Sequence, residues 1–344
     1  MLIDGIHVPL TVPFARDGAV ALNKLESNVR RYSLSPVAGL VAMAPDGEAD
    51  ALSEDEIVSV LQTVGRAAAA EKVLVAGIVK QSVRGALWVA LQAADAGFDA
   101  VLVGAPGEGF SAAEVGVYLR AVADESALPV MLWSDAAQPL SMELIAELAR
   151  HRNVIGVYDA GLSEARLRGV QEATANVKRD VVVTNVFAPA TLRMQAAARE
   201  ESSGLVSASS LGGGAAVIVA PAKAAVKMRS KAVGFQVMAA GTCDGMLSLL
   251  EAGIAGAMPQ LAACTPQASY EIYAAFKDGD PALSAEKANR VRSADALMQG
   301  LGIAGMKYGC DVNGYSGGVP RLPRLALTAE QRLQVERVLA EIPN

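Results

Sequence analysis

The chain reads as an α/β protein built on a closed barrel of eight parallel strands, with an insertion after strand six and a helical C-terminal region. Three observations point there. Before residue 165, six short apolar stretches each end in Gly, Pro or polar residues and run into an amphipathic helix. The composition is 52% hydrophobic but only 4% aromatic, so the core must be made of Ala, Val, Leu and Ile. Such a core suits parallel strands covered by small-residue helices. No glycine-rich dinucleotide turn follows the first strand, which favours a (β/α)8 TIM barrel over a doubly wound sheet.

Taken in order, "GIHVPLTVPF" is the first strand and "VAGLVAMAPDGE" the second. The helix that follows opens on "LSEDE", where Ser53 and Glu56 stand three apart as a capping box. "KVLVAGIVKQ", "DAVLVGAP", "LPVMLWSD" and "NVIGVYDAG" supply strands three to six. The rhythm resumes at "GFQVMAAGT" and ends with "IAGAMPQ" as the eighth strand. Beyond Ser269 the chain turns helical, and its last segment carries Leu333, Val335, Val338 and Leu339 as an apolar stripe. The expected division is a barrel over 1–268, interrupted by an inserted segment at about 165–231, and a helical region over 269–344. The interruption either carries its own short elements or offers "DVVVTN" as a competing strand seven.

A formal charge of −6 argues against nucleic-acid or anionic-membrane partners. The N-terminal stretch lacks a basic segment followed by an apolar run, and no segment approaches ~18 uninterrupted apolar residues. The expectation is a cytoplasmic protein with no membrane span. Cys243, Cys264 and Cys310 are far apart, without metal-ligand spacing, and are expected reduced and buried. With His7 and His151 as the only histidines, no metal site is expected. "SSLGGG" (209–214) lacks the lysine and glycine order of a phosphate loop and reads as a hinge.

The segments "GIHVPLTVPFARDGAV", "GLVAMAPDGEADALSEDE", "PVMLWSD", "NVIGVYDAG" and "GGVPRLPRLALT", in that order and spacing, resemble the dihydrodipicolinate synthase and N-acetylneuraminate lyase family over roughly 1–164 and 234–344. The resemblance implies a class I aldolase barrel without a cofactor, commonly a dimer or tetramer. It also implies a small 2-oxo acid or sugar acid as ligand. Family members bind pyruvate as an imine on a strand-six lysine; here the matching letters are "GVYDA" and Tyr158 takes that place. A phenol forms no imine. The family's proton-relaying threonines match Pro45 and Asp46, with Gly47 and Glu48 retained. Its catalytic tyrosine matches Trp133, its carboxylate-binding arginine falls near Gln138, and its cross-dimer tyrosines match Gly107 and Glu108.

Candidate catalytic residues are therefore Lys80, Asp46 and Tyr158, and candidate substrate contacts are Asp46, Gly47, Glu48, Trp133, Tyr158, Gly241 and Thr242. Lys80 ends strand three, where an amine could have taken over imine chemistry. Lys223 and Lys227 of the insertion could also reach the mouth. Asp46, Glu48 and Asp159 could form an acid/base pair, or Glu48 could cap backbone amides. Tyr158 is expected to fill the lysine's volume and bond Asp46 or Thr242, or else to donate to a ligand oxygen. Two functions follow: a family member silent for imine chemistry that binds a small acid or partners an oligomer, and a lyase with altered chemistry, using Lys80 or a non-covalent acid/base pair.

Overall fold

Runs rich in β-branched residues, each stopped by Gly, Pro or a polar residue, become strands whose two faces are both covered. The structure, a computed structural model, describes residues 1–44, 47–202, 228–342 and 344. The first six units are β1 (Gly5–Pro9), α1 (Leu22–Leu34), β2 (Gly39–Ala42), α2 (Glu54–Ala67), β3 (Val73–Ile78), α3 (Val83–Asp95), β4 (Ala100–Val103), α4 (Ala112–Glu125), β5 (Val130–Ser134), α5 (Met142–Ala149), β6 (Val154–Asp159) and α6 (Glu164–Thr174). Helix α2 starts at the expected capping box: the Ser53 hydroxyl accepts the Glu56 N–H and the Glu56 carboxylate accepts the Ser53 N–H. An added segment follows, with β7 (Arg179–Thr184), α7 (Leu192–Ser202) and β8 (Met228–Val233). The barrel then resumes with β9 (Gln236–Gly241), α8 (Met246–Glu251) and β10 (Gly256–Pro259).

The closed order is β1-β10-β9-β6-β5-β4-β3-β2, all parallel, so β9 lies beside β6 and is the seventh barrel strand. "DVVVTN" is not a barrel strand. It belongs to β7, which pairs antiparallel with β8 in a sheet of its own. Among the described parts, this added sheet is fastened to the end of the barrel where strands begin. Arg179 donates to the carbonyls of Ala149 and His151 ahead of β6, and Thr191 to that of Ala70 ahead of β3. Buried Asp99 accepts the Leu192 N–H at 2.6 Å with one oxygen and the Leu74 N–H at 2.9 Å with the other. Lys223, Lys227 and "SSLGGG" lie outside the described residues.

Side chains alternate in the strands. In β3, Val73 and Val75 face the barrel interior while Leu74, Ala76 and Ile78 pack on helices. Strand β6 breaks the alternation once. Its register against β5 runs Val130–Val154 and then Met131–Gly156, so Ile155 is an extra residue. The bulge resets the pleat, so Gly156 and Tyr158 both face inward, Tyr158 beside Trp133. A side chain at Gly156 would lie 2.4 Å from the Gln236 carbonyl oxygen, so only glycine fits.

Helices α9 (Pro266–Lys277), α10 (Pro281–Val312) and α11 (Ala329–Leu339) form the C-terminal region. Helix α10 breaks at Gly302, whose φ of 59° and ψ of −147° no other residue adopts readily. In α11 the apolar stripe is narrower than expected: Val335 and Leu339 are buried, Val338 is half-buried and Leu333 is exposed. The three cysteines are free and buried. No helix among the described residues is long and apolar enough to cross a membrane.

Replacing Asp99 by Ala strips two N–H groups of their acceptor, one of them buried. Urea denaturation should show a loss of about 2–4 kcal/mol; a loss within error would remove Asp99 as the fastening of the added sheet.

Candidate functional site

The strands' C-terminal ends open on two cavities. One, of about 390 Å3, is lined by Lys80, Trp133, Gln138 and Arg324 together with the acids Asp50, Glu108 and Asp135. The other, of about 280 Å3, lies between the ends of β1 and β10 and the break in α10, and is lined by Thr11, Gly47, Glu48, Gln260, Gln299 and Arg324. Arg324 borders both. Lys80 and Trp133 are thus brought together, as the sequence suggests. Gly47 and Glu48 face the second cavity, Gly241 and Thr242 line neither, and Asp46 lies outside the described residues.

Tyr158 lines neither cavity. Its ring is fully buried in the barrel interior and its hydroxyl is 2.6 Å from Nδ1 of His7 on β1. The expected bond to Thr242 does not form, because the inward-facing ring reaches across the barrel to β1; the bond expected to Asp46 falls on a residue outside the described ones. Burial pulls the His7 pKa down to about 4, opposed by a backbone contact at Asp4, and burial pushes the Tyr158 phenol up. Near neutral pH the phenol therefore keeps its proton and the imidazole is neutral, the two sharing one hydrogen bond. Thr242 instead donates to Asp295 on α10 at 2.6 Å, and the same carboxylate oxygen accepts the Cys243 N–H at 2.8 Å.

Of the acids considered for proton transfer, Asp159 and Glu48 are engaged. Asp159 is fully buried; it takes a 2.6 Å bond from Arg166 Nε and a 3.0 Å bond from the Gly161 N–H. Arg166 also donates to Ser134 Oγ and the Leu140 carbonyl, so this pair braces the loop after β5 that carries Gln138. Glu48, in left-handed backbone at φ 61°, accepts the Arg321 N–H at 2.9 Å and pairs with Lys307. Lys307 has no exposure; it also donates to the Val319 carbonyl and lies 4.2 Å from the Phe14 ring centre. Burial lowers its pKa, while Glu48 works the other way.

Arg321 reaches the Gly18 and Ala51 carbonyls and grips both oxygens of Glu56, holding that carboxyl down at about 2. Its hold fixes the turn that carries Arg324. Sequence reasoning missed Lys307, Arg321, Arg324 and His7 as parts of this region. Lys307 did leave a signal, as a lone charge inside the apolar run "IAGMKYGC". Among the described residues, no group of three or more His, Cys, Asp or Glu could hold a metal ion.

The Tyr158–His7 pair sets a pH dependence. The unfolded imidazole takes up a proton near pH 6.5 that the folded one refuses down to about 4. Its stabilisation is complete above pH 6.5 and is lost as pH falls towards 4, by roughly 3 kcal/mol in all. Urea denaturation from pH 7 to 4 should show this loss, and His7→Leu should flatten that part of the slope; an unchanged slope would refute it. Tyr158→Phe removes one net hydrogen bond and should cost about 1–2 kcal/mol.

The profile of the dihydrodipicolinate synthetase family matches residues 2–199. The 4-hydroxy-tetrahydrodipicolinate synthase of Natronomonas pharaonis is 29% identical over 182 residues, 52% of this chain and 62% of that protein. The N-acetylneuraminate lyase of Rhizobium meliloti is 28% identical over 190 residues, 54% of this chain and 62% of that protein. The chain thus spans less than two thirds of the length of these relatives. In fold it is similar to a dihydrodipicolinate synthase from Bacillus anthracis, with a TM-score of 0.78 at 18% identity over the whole of both chains. It is also similar to a prophage protein of the dihydrodipicolinic acid synthase family from E. coli K12, solved with pyruvate, with a TM-score of 0.75 at 22% identity over 99% of this chain and 98% of that one. The barrel, the conserved order of its units and the match over more than half its length make this chain a member of the dihydrodipicolinate synthetase family.

Proposed function

We propose that this chain is a family member silent for imine chemistry on strand six, which binds a small 2-oxo acid or sugar acid without a covalent bond at the barrel mouth. In this reading it is cytoplasmic and assembles as a dimer or tetramer, as binder or as oligomer partner. One observation carries it. The residue at the strand-six position is a tyrosine whose hydroxyl is used by His7 in the interior, and none of the eight barrel strands contains a lysine. Imine formation needs a neutral amine that attacks the ligand carbonyl and expels water, and a phenol supplies none. What remains at the mouth is a tryptophan wall with Lys80, Gln138 and Arg324, polar groups converging on one cavity.

A second reading has its own observation. Lys80 lines the cavity with Trp133, its side chain only a quarter exposed and its Nζ 3.8 Å from Glu54. Lys80 lies in the loop after β3, two residues past the strand end where the sequence puts it, and an amine there could form the imine from that loop and give an aldolase or lyase with altered chemistry.

Incubation with pyruvate and borohydride, followed by intact mass, separates the two. The expected result is no adduct beside a family enzyme that labels under the same conditions, with pyruvate binding detected by calorimetry. An adduct mapped to Lys80 would overturn the silent reading. Absence of both adduct and binding, for sugar acids as well as pyruvate, would sink the small-acid binder.

A further inference from the structure

The loop after α10 suggests where the ligand's acid group goes. Resting on the reading of the mouth as a small-acid site, we infer that Arg324 receives the ligand's carboxylate, and that Asp50 holds the same guanidinium until the ligand displaces it.

Two side chains lining the larger cavity are basic. Lys80 has its Nζ 3.8 Å from Glu54 and 5.9 Å from the Trp88 ring centre, so its charge already has partners. Arg324 borders both mouth cavities, so a group bound to it is reached from either. Gln138, at the place where the resemblance puts a carboxylate-binding arginine, brings an amide and no charge. A guanidinium offers a planar pair of N–H donors that matches a carboxylate, which an amide or an ammonium does not.

The backbone under Arg324 is fixed before any ligand arrives. Its N–H bonds the Arg321 carbonyl at 3.1 Å, and Arg321 is itself tied to Glu56, Gly18, Ala51 and, through its own N–H, to Glu48. The guanidinium is therefore presented from a rigid turn, with only its side chain left to adjust. At present its Nη2 lies 3.0 Å and 3.3 Å from the two oxygens of Asp50. This is the contact that a ligand carboxylate would make, supplied from within the chain. Both partners are well exposed, at 40% and 54%, so the pair is weak and open to exchange. The remaining acids lining the cavity, Glu108 and Asp135, oppose an anion, which makes the guanidinium's share the deciding one.

The test is calorimetric titration of the full chain with pyruvate, in the wild type and three surface variants. Arg324→Gln should weaken binding by about tenfold or more, the loss of a charge-assisted pair. Arg324→Lys should recover part of it. Asp50→Asn removes the internal competitor and should tighten binding about two- to fivefold, the range an exposed ion pair can contribute. Wild-type binding with Arg324→Gln unchanged overturns the assignment of Arg324 and leaves the small-acid reading standing. Weakening by Arg324→Gln without tightening by Asp50→Asn overturns the role of Asp50. No wild-type binding overturns the small-acid reading itself, and this inference with it.

Discussion

An ion pair sealed from water joins the C-terminal helices to the barrel mouth. Lys307 and Glu48 have almost no exposure, and separating either from water is costly unless every other bond is supplied. Here most are supplied. The ammonium has the Val319 carbonyl and the Phe14 ring, and the second carboxylate oxygen has the Arg321 N–H. Removing one partner would leave the other as an unpaired buried charge, a loss of several kcal/mol. Both mouth cavities inherit their shape from this join: it seats one half of α10 over the ends of β1 and β10, and it fixes the turn bearing Arg324. The walls of the site thus come from parts of the chain more than 250 residues apart in sequence, joined by the pair at positions 48 and 307 and by the bonds of Arg321 to Glu48, Ala51 and Glu56.

The scaffold was far more legible in the sequence than the site. The alternation of short β-branched runs with amphipathic helices is a local pattern, and so is the capping box at Ser53 and Glu56. Both can be read without knowing what touches what. The burial of Tyr158 was legible for the same reason, as a large ring in a strand covered on both faces. Its partner was not. The bond to His7 spans 151 positions and depends on the one-residue bulge at Ile155, which no periodicity reveals. Asp159 and Glu48 illustrate the same limit: an acid at a strand end looks identical in sequence whether it faces a ligand or an arginine. The sequence also left open whether residues near 180 enter the barrel, because β7 has a strand pattern and only pairing decides where a strand goes.

The mouth and the base of this barrel divide their labours in the manner expected of the fold, with one change of emphasis. Asp159, Thr242 and Glu48 stand at strand ends, where barrels commonly place reacting groups, yet here they bond Arg166, Asp295 and Lys307. Polar residues at the mouth have become braces. The cavities are faced by Thr11, Glu48 and Trp133 and, from loops and the C-terminal region, by Lys80, Gln138, Gln260, Gln299 and Arg324.

The fastening of the added sheet has a kinetic side. Asp99 joins Leu74 to Leu192, and Arg179 and Thr191 grip carbonyls ahead of β6 and β3. These anchors reach groups at or just ahead of the starts of β3, β4 and β6, which the barrel brings together. Docking of the added segment therefore needs those strand starts in place, whereas the barrel strands pair without it. A substitution within it changes how often that end of the molecule opens while the barrel mouth keeps its shape.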